Sequence, residues 1–274
     1  MIKRICIAVF VTVFLAGLYA FIEPYRIEDK VYHISSPDIP ASFKGTRIVF
    51  LVDIHHGPFL SQTRLKKIVD RVNRLEPDML LFGGDYIHHK AEYIKPAFEE
   101  LSRLRAPLGL YGVLGNHDHN KNAPLTRESM SMAGITLIDN AGVWVNRGES
   151  RIRVGGVGDI LMDWPDIDPV LDSVTTDDFV MLVSHNPDFF VVADTSKLPL
   201  VDLALCGHTH GWQINLPSRF KRRYKDFTGH TYNYKSGLYH IGKNTKLIVS
   251  NGIGTVFMPL RFRARPQIVV IYLV

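Results

Sequence analysis

Five short apolar runs in this 274-residue chain each stop at residues able to hold a cation or move a proton. Arg47 to Val52 ends in Asp53-Ile54-His55, Met79 to Phe82 in Gly83-Gly84-Asp85, and Leu110 to Leu114 in Gly115-Asn116-His117-Asp118. Phe179 to Val183 ends in Ser184-His185-Asn186, and Val201 to Cys206 in Gly207-His208-Thr209-His210. Together the run ends deliver Asp53, His55, Asp85, Asn116, His117, His185, His208 and His210, a set of oxygens and imidazole nitrogens suited to borderline ions such as Mn, Fe or Zn. These groups exceed what one ion needs. They suit two ions about 3.5 to 4 Å apart that share a carboxylate, the arrangement used for in-line displacement at phosphorus. A solvent molecule between two such ions would lose its proton far below the bulk value of about 15.7, near 7 as at catalytic zinc, and become a nucleophile at neutral pH.

The runs that position these groups are four to seven residues long and rich in Val, Ile, Leu or Phe, the mark of strands covered on both faces. Between the first two, Ser61 to Leu75 carries Leu65, Ile68, Val69, Val72 and Leu75 at helical spacing, and Ala91 to Leu104 repeats the pattern less cleanly. Strand alternating with helix predicts parallel βαβ units. Short strand-like pieces over residues 135 to 157, with others at Leu238 to Ile241, Lys246 to Ser250 and Ile268 to Val274, break that rhythm. The pattern as a whole predicts an α/β fold of two sheets flanked by helices, with the polar residues gathered at the strands' carboxyl ends, the edge where ligands bind in open α/β sheets.

Ahead of this body, Ile5 to Ile22 is 18 residues without a charge, preceded by Lys3 and Arg4. That length is at the lower end for a membrane-spanning helix, about 17 to 25 residues. Leu18-Tyr19-Ala20 puts leucine where a signal-peptide cleavage site wants a small side chain, so an uncleaved single-pass anchor over residues 1–22 is expected. Residues 23–45, with Pro24, Pro37 and Pro40, read as a stalk, and residues 46–274 as the catalytic domain. Lys3 and Arg4 favour a cytoplasmic N-terminus and an extracytoplasmic body.

A content of 46% hydrophobic and 22% charged residues excludes extended disorder, and two cysteines, Cys6 and Cys206, exclude a disulfide framework or a cysteine-rich zinc site. The net charge of +5 is uneven. Residues 211–274 hold 11 Lys or Arg against the single acid Asp226, which makes that stretch +10 and leaves −5 for the rest. Within it, Pro217 to Tyr234 interleaves Arg219, Lys221, Arg222, Arg223 and Lys225 with Phe220, Tyr224, Phe227 and Tyr232, a composition that fits anionic lipid head groups or a nucleic-acid strand.

The five segments D-x-H, G-D, G-N-H-D, H and G-H-x-H, present in that order over roughly residues 47–210, resemble the calcineurin-like metallophosphoesterases. Gly207 to Gln213, Gly252-Ile253-Gly254-Thr255 and Pro259-Leu260-Arg261-Phe262 are similar to the membrane-associated YkuE/YaeI-like branch, which includes relatives of UDP-2,3-diacylglucosamine hydrolases. Trp212 stands where that branch often has a second glycine, so a bulkier loop is expected. The resemblance implies a four-layer two-sheet sandwich and two divalent or trivalent ions, Mn, Fe or Zn. Asp53, His55 and His210 would bind one ion, Asn116, His185 and His208 the other, and Asp85 would bridge them. His117 would face the leaving group as general acid or charge stabiliser, oriented by Asp118, unless Asp118 only caps the following turn.

The implied activity is hydrolysis of a phosphodiester or pyrophosphate using a metal-bridging hydroxide, on a phosphorylated small molecule or a lipid-linked substrate such as UDP-2,3-diacylglucosamine. A nuclease of the same fold and a non-catalytic scaffold are the alternatives, and the scaffold is disfavoured because no ligand of the pattern is missing. His56, His88, His89 and His119 neighbour the motifs, yet an adjacent loop histidine more often faces solvent than a ligand. Asp159, Asp163 and Asp166, around Trp164-Pro165, read as a polar surface turn.

Overall fold

The computed structural model describes residues 1–194, 196–215 and 234–274. Two six-stranded sheets face each other. The first contains β1 (Glu28–Ile34), β2 (Arg47–Leu51), β3 (Met79–Phe82), β4 (Leu110–Gly112) and β5 (Ile135–Leu137), and β12 (Gln267–Leu273) is inserted between β1 and β2. The second contains β6 (Ala141–Arg147), β7 (Ser150–Gly156), β8 (Val180–Val183), β9 (Leu203–Cys206), β10 (Gly237–Ile241) and β11 (Thr245–Val249), in the order β10-β11-β9-β8-β7-β6. The runs β2 to β5 are mutually parallel, as are β7, β8, β9 and β11. Strand β12 lies antiparallel to β2 and parallel to β1.

Alternation along the strands builds the layers. In β2 and the residue after it, Ile48, Phe50 and Val52 turn into the space between the sheets, where they meet Met181, Val183, Leu203, Leu205 and Ile248, while Val49 and Leu51 turn outward. The outward face packs against α2 (Gln62–Arg74), α3 (Ile94–Leu101) and α4 (Asn116–Met132). Leu65, Ile68, Val69 and Val72 of α2 are its buried stripe, and the Ser61 hydroxyl caps that helix by accepting from the Arg64 N–H. The outer face of the second sheet is covered by Val170, Phe189, Phe190 and Leu198 from short helical turns. The result is the expected four-layer α/β sandwich.

Two features depart from the sequence reading. Residues expected as a stalk belong to the folded body: β1 pairs with β12 along its whole length, and Ile34, Ile39 and Phe43 are buried in the layer between the sheets. The physical reason is that β1 is an edge strand with most of its side chains in solvent, so it carries no apolar run. Helix α4 is also undeclared by the pattern, because it opens on the polar G-N-H-D motif and is interrupted at Asn122, two residues before Pro124.

Helix α1 (Ile2–Ile22) stands apart, with only Ala20 of its residues buried. Within Ile2–Tyr25 an 18-residue window has a mean hydropathy of 2.6, long and apolar enough to cross a membrane.

Candidate metal centre

All five apolar runs end at one rim of the sandwich, and the residues beyond them leave the strands abruptly. Asp53, His55, Asp85, His208 and His210 all have positive φ, between 47° and 67°, a region that non-glycine residues enter at a cost and that clusters at functional sites. The backbones also approach closely. Gly84, at φ 86°, leaves no room for a Cβ, which would come within 2.4 Å of the Gly115 nitrogen, and a Cβ on Gly115 would sit 2.3 Å from Asp85 Oδ1. The G-D and G-N-H-D turns therefore interlock through glycine.

Asp53, His55 and His210 form one group whose ligating atoms lie within 4.8 Å of one another, and Asp85, His185 and His208 form a second. His55 Nε2 is 3.1 Å from His210 Nε2, and His185 Nε2 is 3.1 Å from Asn116 Oδ1 and 3.0 Å from His208 Nδ1. Asp85 Oδ2 stands between the groups, 3.4 Å from His55 Nε2 and 3.4 Å from His185 Nε2. Asp53 receives the His208 N–H on both carboxylate oxygens. The seven expected ligands thus converge, and Asp53, His55, Asp85, His185 and His210 are buried.

The chemistry of this donor set fits cations. Burial pushes Asp53 up to about 7, against the pull of His185, and pushes His55 and His210 well below the usual imidazole range, which leaves them neutral with lone pairs to offer. Burial would also raise Asp85, but the neighbouring His185, His117 and His55 outweigh it and hold its carboxyl well below the ordinary range. His185 Nδ1 donates to the Gly83 carbonyl at 2.7 Å, which turns Nε2 toward the carboxylate and amide oxygens, the way a ligating histidine is fixed by a partner on its other nitrogen. Burial lowers His185 but the Asp85 and Asp53 carboxylates outweigh it and hold its ring well above the usual imidazole range, so a proton there stands where bound positive charge would serve the same carboxylates.

His117 occupies the first turn of α4, edge-on to His55 and beside His88, and its backbone N–H donates to Asp85 Oδ1 at 2.8 Å. Asp118 does not orient it. Among the described residues, Asp118 accepts from the backbone N–H groups of Asp85 (2.7 Å), Gly115 (2.9 Å) and Tyr86 (3.0 Å), which closes a capping box at the start of α4. Burial raises Asp118 to about 8, with the Asp85 charge adding to it and the backbone donors opposing. The turn-capping alternative describes its contacts, and its position joins the Asp85 and Asn116 turns.

Three side chains carried little or no sequence signal. His88 is buried and has neither ring nitrogen hydrogen-bonded among the described residues; with His55 and His117 it forms another imidazole cluster. Burial, then His89 and His117, lower His88 to about 4, so it is neutral at physiological pH. Arg261 is fully buried behind His210 and donates to the carbonyls of Asn251, Gly254 and Ala264, which fixes the 251–264 loop under the rim. Burial lowers it to about 10. Asp159, expected on a surface turn, is buried. His56 is buried as well, with Nδ1 on the Leu60 carbonyl, a structural role. Trp212 adopts φ 65°, and Lys235 lies over its ring. The basic, aromatic segment 217–234, Tyr234 apart, lies outside the described residues.

Residues 46–212 match the calcineurin-like phosphoesterase family. The chain is 32% identical over 265 residues to the uncharacterized metallophosphoesterase YkuE of Bacillus subtilis, covering 93% of this chain and 88% of that protein. It is 29% identical to a transmembrane protein with metallophosphoesterase domain from Danio rerio, covering 97% of this chain and 62% of that one. Among solved structures, the Thermus thermophilus sulfate thiohydrolase SoxB shares the fold at a TM-score of 0.52 and 12% identity, over 86% of this chain and 57% of that chain.

Proposed function

Since the chain belongs to the calcineurin-like phosphoesterase family, and is with it a metal-dependent phosphoester hydrolase, we propose that its rim hydrolyses a phosphodiester or pyrophosphate, on a lipid-linked substrate such as UDP-2,3-diacylglucosamine. The observation that carries the reading is Asp85 Oδ2 lying at equal distance from His55 and His185, one in each ligand group. Asp53, His55 and His210 would hold one ion, Asn116, His185 and His208 the other, and Asp85 would serve both.

When bound, the ions supply charge against the phosphoryl oxygens and acidify a solvent molecule for attack. The remaining work falls to the chain. The Gly83 carbonyl holds Nδ1 of His185 and so aims Nε2 into the site, and the Asp118 capping box fixes Asp85 and Asn116 relative to each other. His117 faces the leaving group and hands it a proton. His88 offers a neutral imidazole beside it for a non-bridging phosphoryl oxygen.

The apolar helix, together with relatives named transmembrane proteins, associates the chain with a membrane. In this reading α1 is an uncleaved anchor. Lys3 and Arg4 support an extracytoplasmic body, which labelling of a Met132→Cys variant in intact cells with a membrane-impermeant thiol reagent tests. Protein stripped of metal should be inactive toward bis-p-nitrophenyl phosphate and recover with Mn, Fe or Zn; failure of every ion to restore turnover counts against the reading. A screen of phospholipids, UDP-linked sugars and nucleotides with metal-loaded enzyme ranks the substrates.

A further inference from the structure

The topology of the first sheet places the end of the apolar helix and the metal-centre rim on the same side. Strand β12 runs antiparallel to β2, so its amino end lies beside the carboxyl end of β2, where Phe50 pairs with Val269 and Asp53 follows three residues on. Strand β1 starts at that same level, Glu28 opposite Gln267, only a few residues after α1 ends. The chain therefore enters the body at the catalytic rim.

The junction is fastened rather than loose. The Arg261 N–H donates to the Ala20 carbonyl at 2.9 Å, and the buried Glu23 carboxylate accepts from the N–H groups of Arg263 (3.0 Å) and Ala264 (2.6 Å). Tyr19 meets Phe262 edge to face at 6.3 Å, while Arg64 donates to the Pro24 carbonyl and lies over the Tyr25 ring. The same loop is fastened to the ligand turn, since the Gln213 amide accepts from the Val256 N–H and donates to the carbonyls of Val256 and Leu260. Gln213 is three residues after His210. One hydrogen-bonded unit thus joins the last turn of α1, loop 256–264 and the turn that carries a candidate ligand.

That loop presents Phe257 (71% exposed) and Met258 (53%), the segment after α1 presents Tyr25 and Arg26, and Arg263 and Arg265 are exposed at the loop's far end. Apolar and aromatic side chains mixed with cations at the exit of a spanning helix have the composition of a bilayer interface. We propose that loop 256–264 is a second membrane contact, which lies at the head-group and acyl boundary and holds the catalytic rim down on the lipid surface. The occupant of this patch is the lipid bilayer itself, and the continuity with α1 argues for it. A body so held draws its phosphoester from the plane of the membrane. This rests on the anchor reading of α1 given above.

The experiment uses the full chain with Cys6→Ser, which leaves only the buried Cys206, in vesicles of phosphatidylcholine and phosphatidylglycerol. Single cysteines at Met258, Val11 and Met132 carry an environment-sensitive fluorophore, and lipids spin-labelled near the head group or deep in the acyl chain serve as quenchers. Met132 is 81% exposed and ends α4, which starts at the rim with Asn116 and runs back toward the amino ends of the strands. The Met258 probe should lose about half its emission to the shallow quencher, as expected roughly 5–10 Å into the interface. The Val11 probe should respond to the deep quencher and the Met132 probe to neither. A Met258 probe as unquenched as Met132, with Val11 quenched, overturns the second contact and leaves the anchor standing. An unquenched Val11 overturns both.

Discussion

Phe50 and Asp53 are three residues apart on one segment, and both are fully buried under opposite rules. Phe50 sits among aliphatic side chains between the sheets, in relaxed strand geometry, and asks only for neighbours of the right volume. Asp53 sits at the rim with positive φ, a carboxylate beside Asp85, and is stable there only if something supplies opposite charge. Five of the candidate ligands share that backbone, each costing about 1 to 3 kcal/mol, and the aliphatic layer beneath supplies the surplus stability that lets them persist. The lesson is a division of labour along each strand, from a body that contributes stability to an end that contributes function.

That division can be broken in four places. The largest effect is expected for Asp85→Asn, which should lower kcat/KM on the order of 10³-fold, about 4 kcal/mol, while the melting temperature holds or rises. Next, Leu81→Ala, in the layer between the sheets, should cost about 3 kcal/mol in a denaturant titration and leave kcat/KM of the folded fraction unchanged. A matching loss of turnover would show that core and rim are not separable. Asp118→Ala should weaken metal binding about 10- to 100-fold, as removal of a residue that positions ligands does. If Asp118 served His117 instead, metal affinity would hold and the pH profile of kcat would change. The smallest effect is expected for Ser61→Ala, at the start of α2 and outside the ligand set, at about 1 kcal/mol of stability with no kinetic change.

The sequence made the strand bodies and their polar ends legible for the same reason, since the apolar runs stop where the chemistry begins. Phe179 to Val183 could be read as a strand covered on both faces because it is one. Partnership was less legible than identity. Asp118 could be recognised as a motif residue, but only the folded chain shows its oxygens turned to the backbone of Asp85, Tyr86 and Gly115. Arg261 gave no signal beyond its short motif, because a lone arginine reads as surface until loop 251–264 wraps around it. Strand β1 was hidden by its exposure, and helix α4 by opening on polar motif residues.

The chemistry of the rim turns above all on Asp85 holding two cations together. Elemental analysis of purified full-length protein, beside its Asp85→Asn variant, tests that most directly. Two metal ions per chain in the parent, falling to one or fewer in the variant together with loss of phosphodiester hydrolysis, is the predicted result. A parent that turns over substrate with a single ion, or a variant that retains two ions and full turnover, would contradict it.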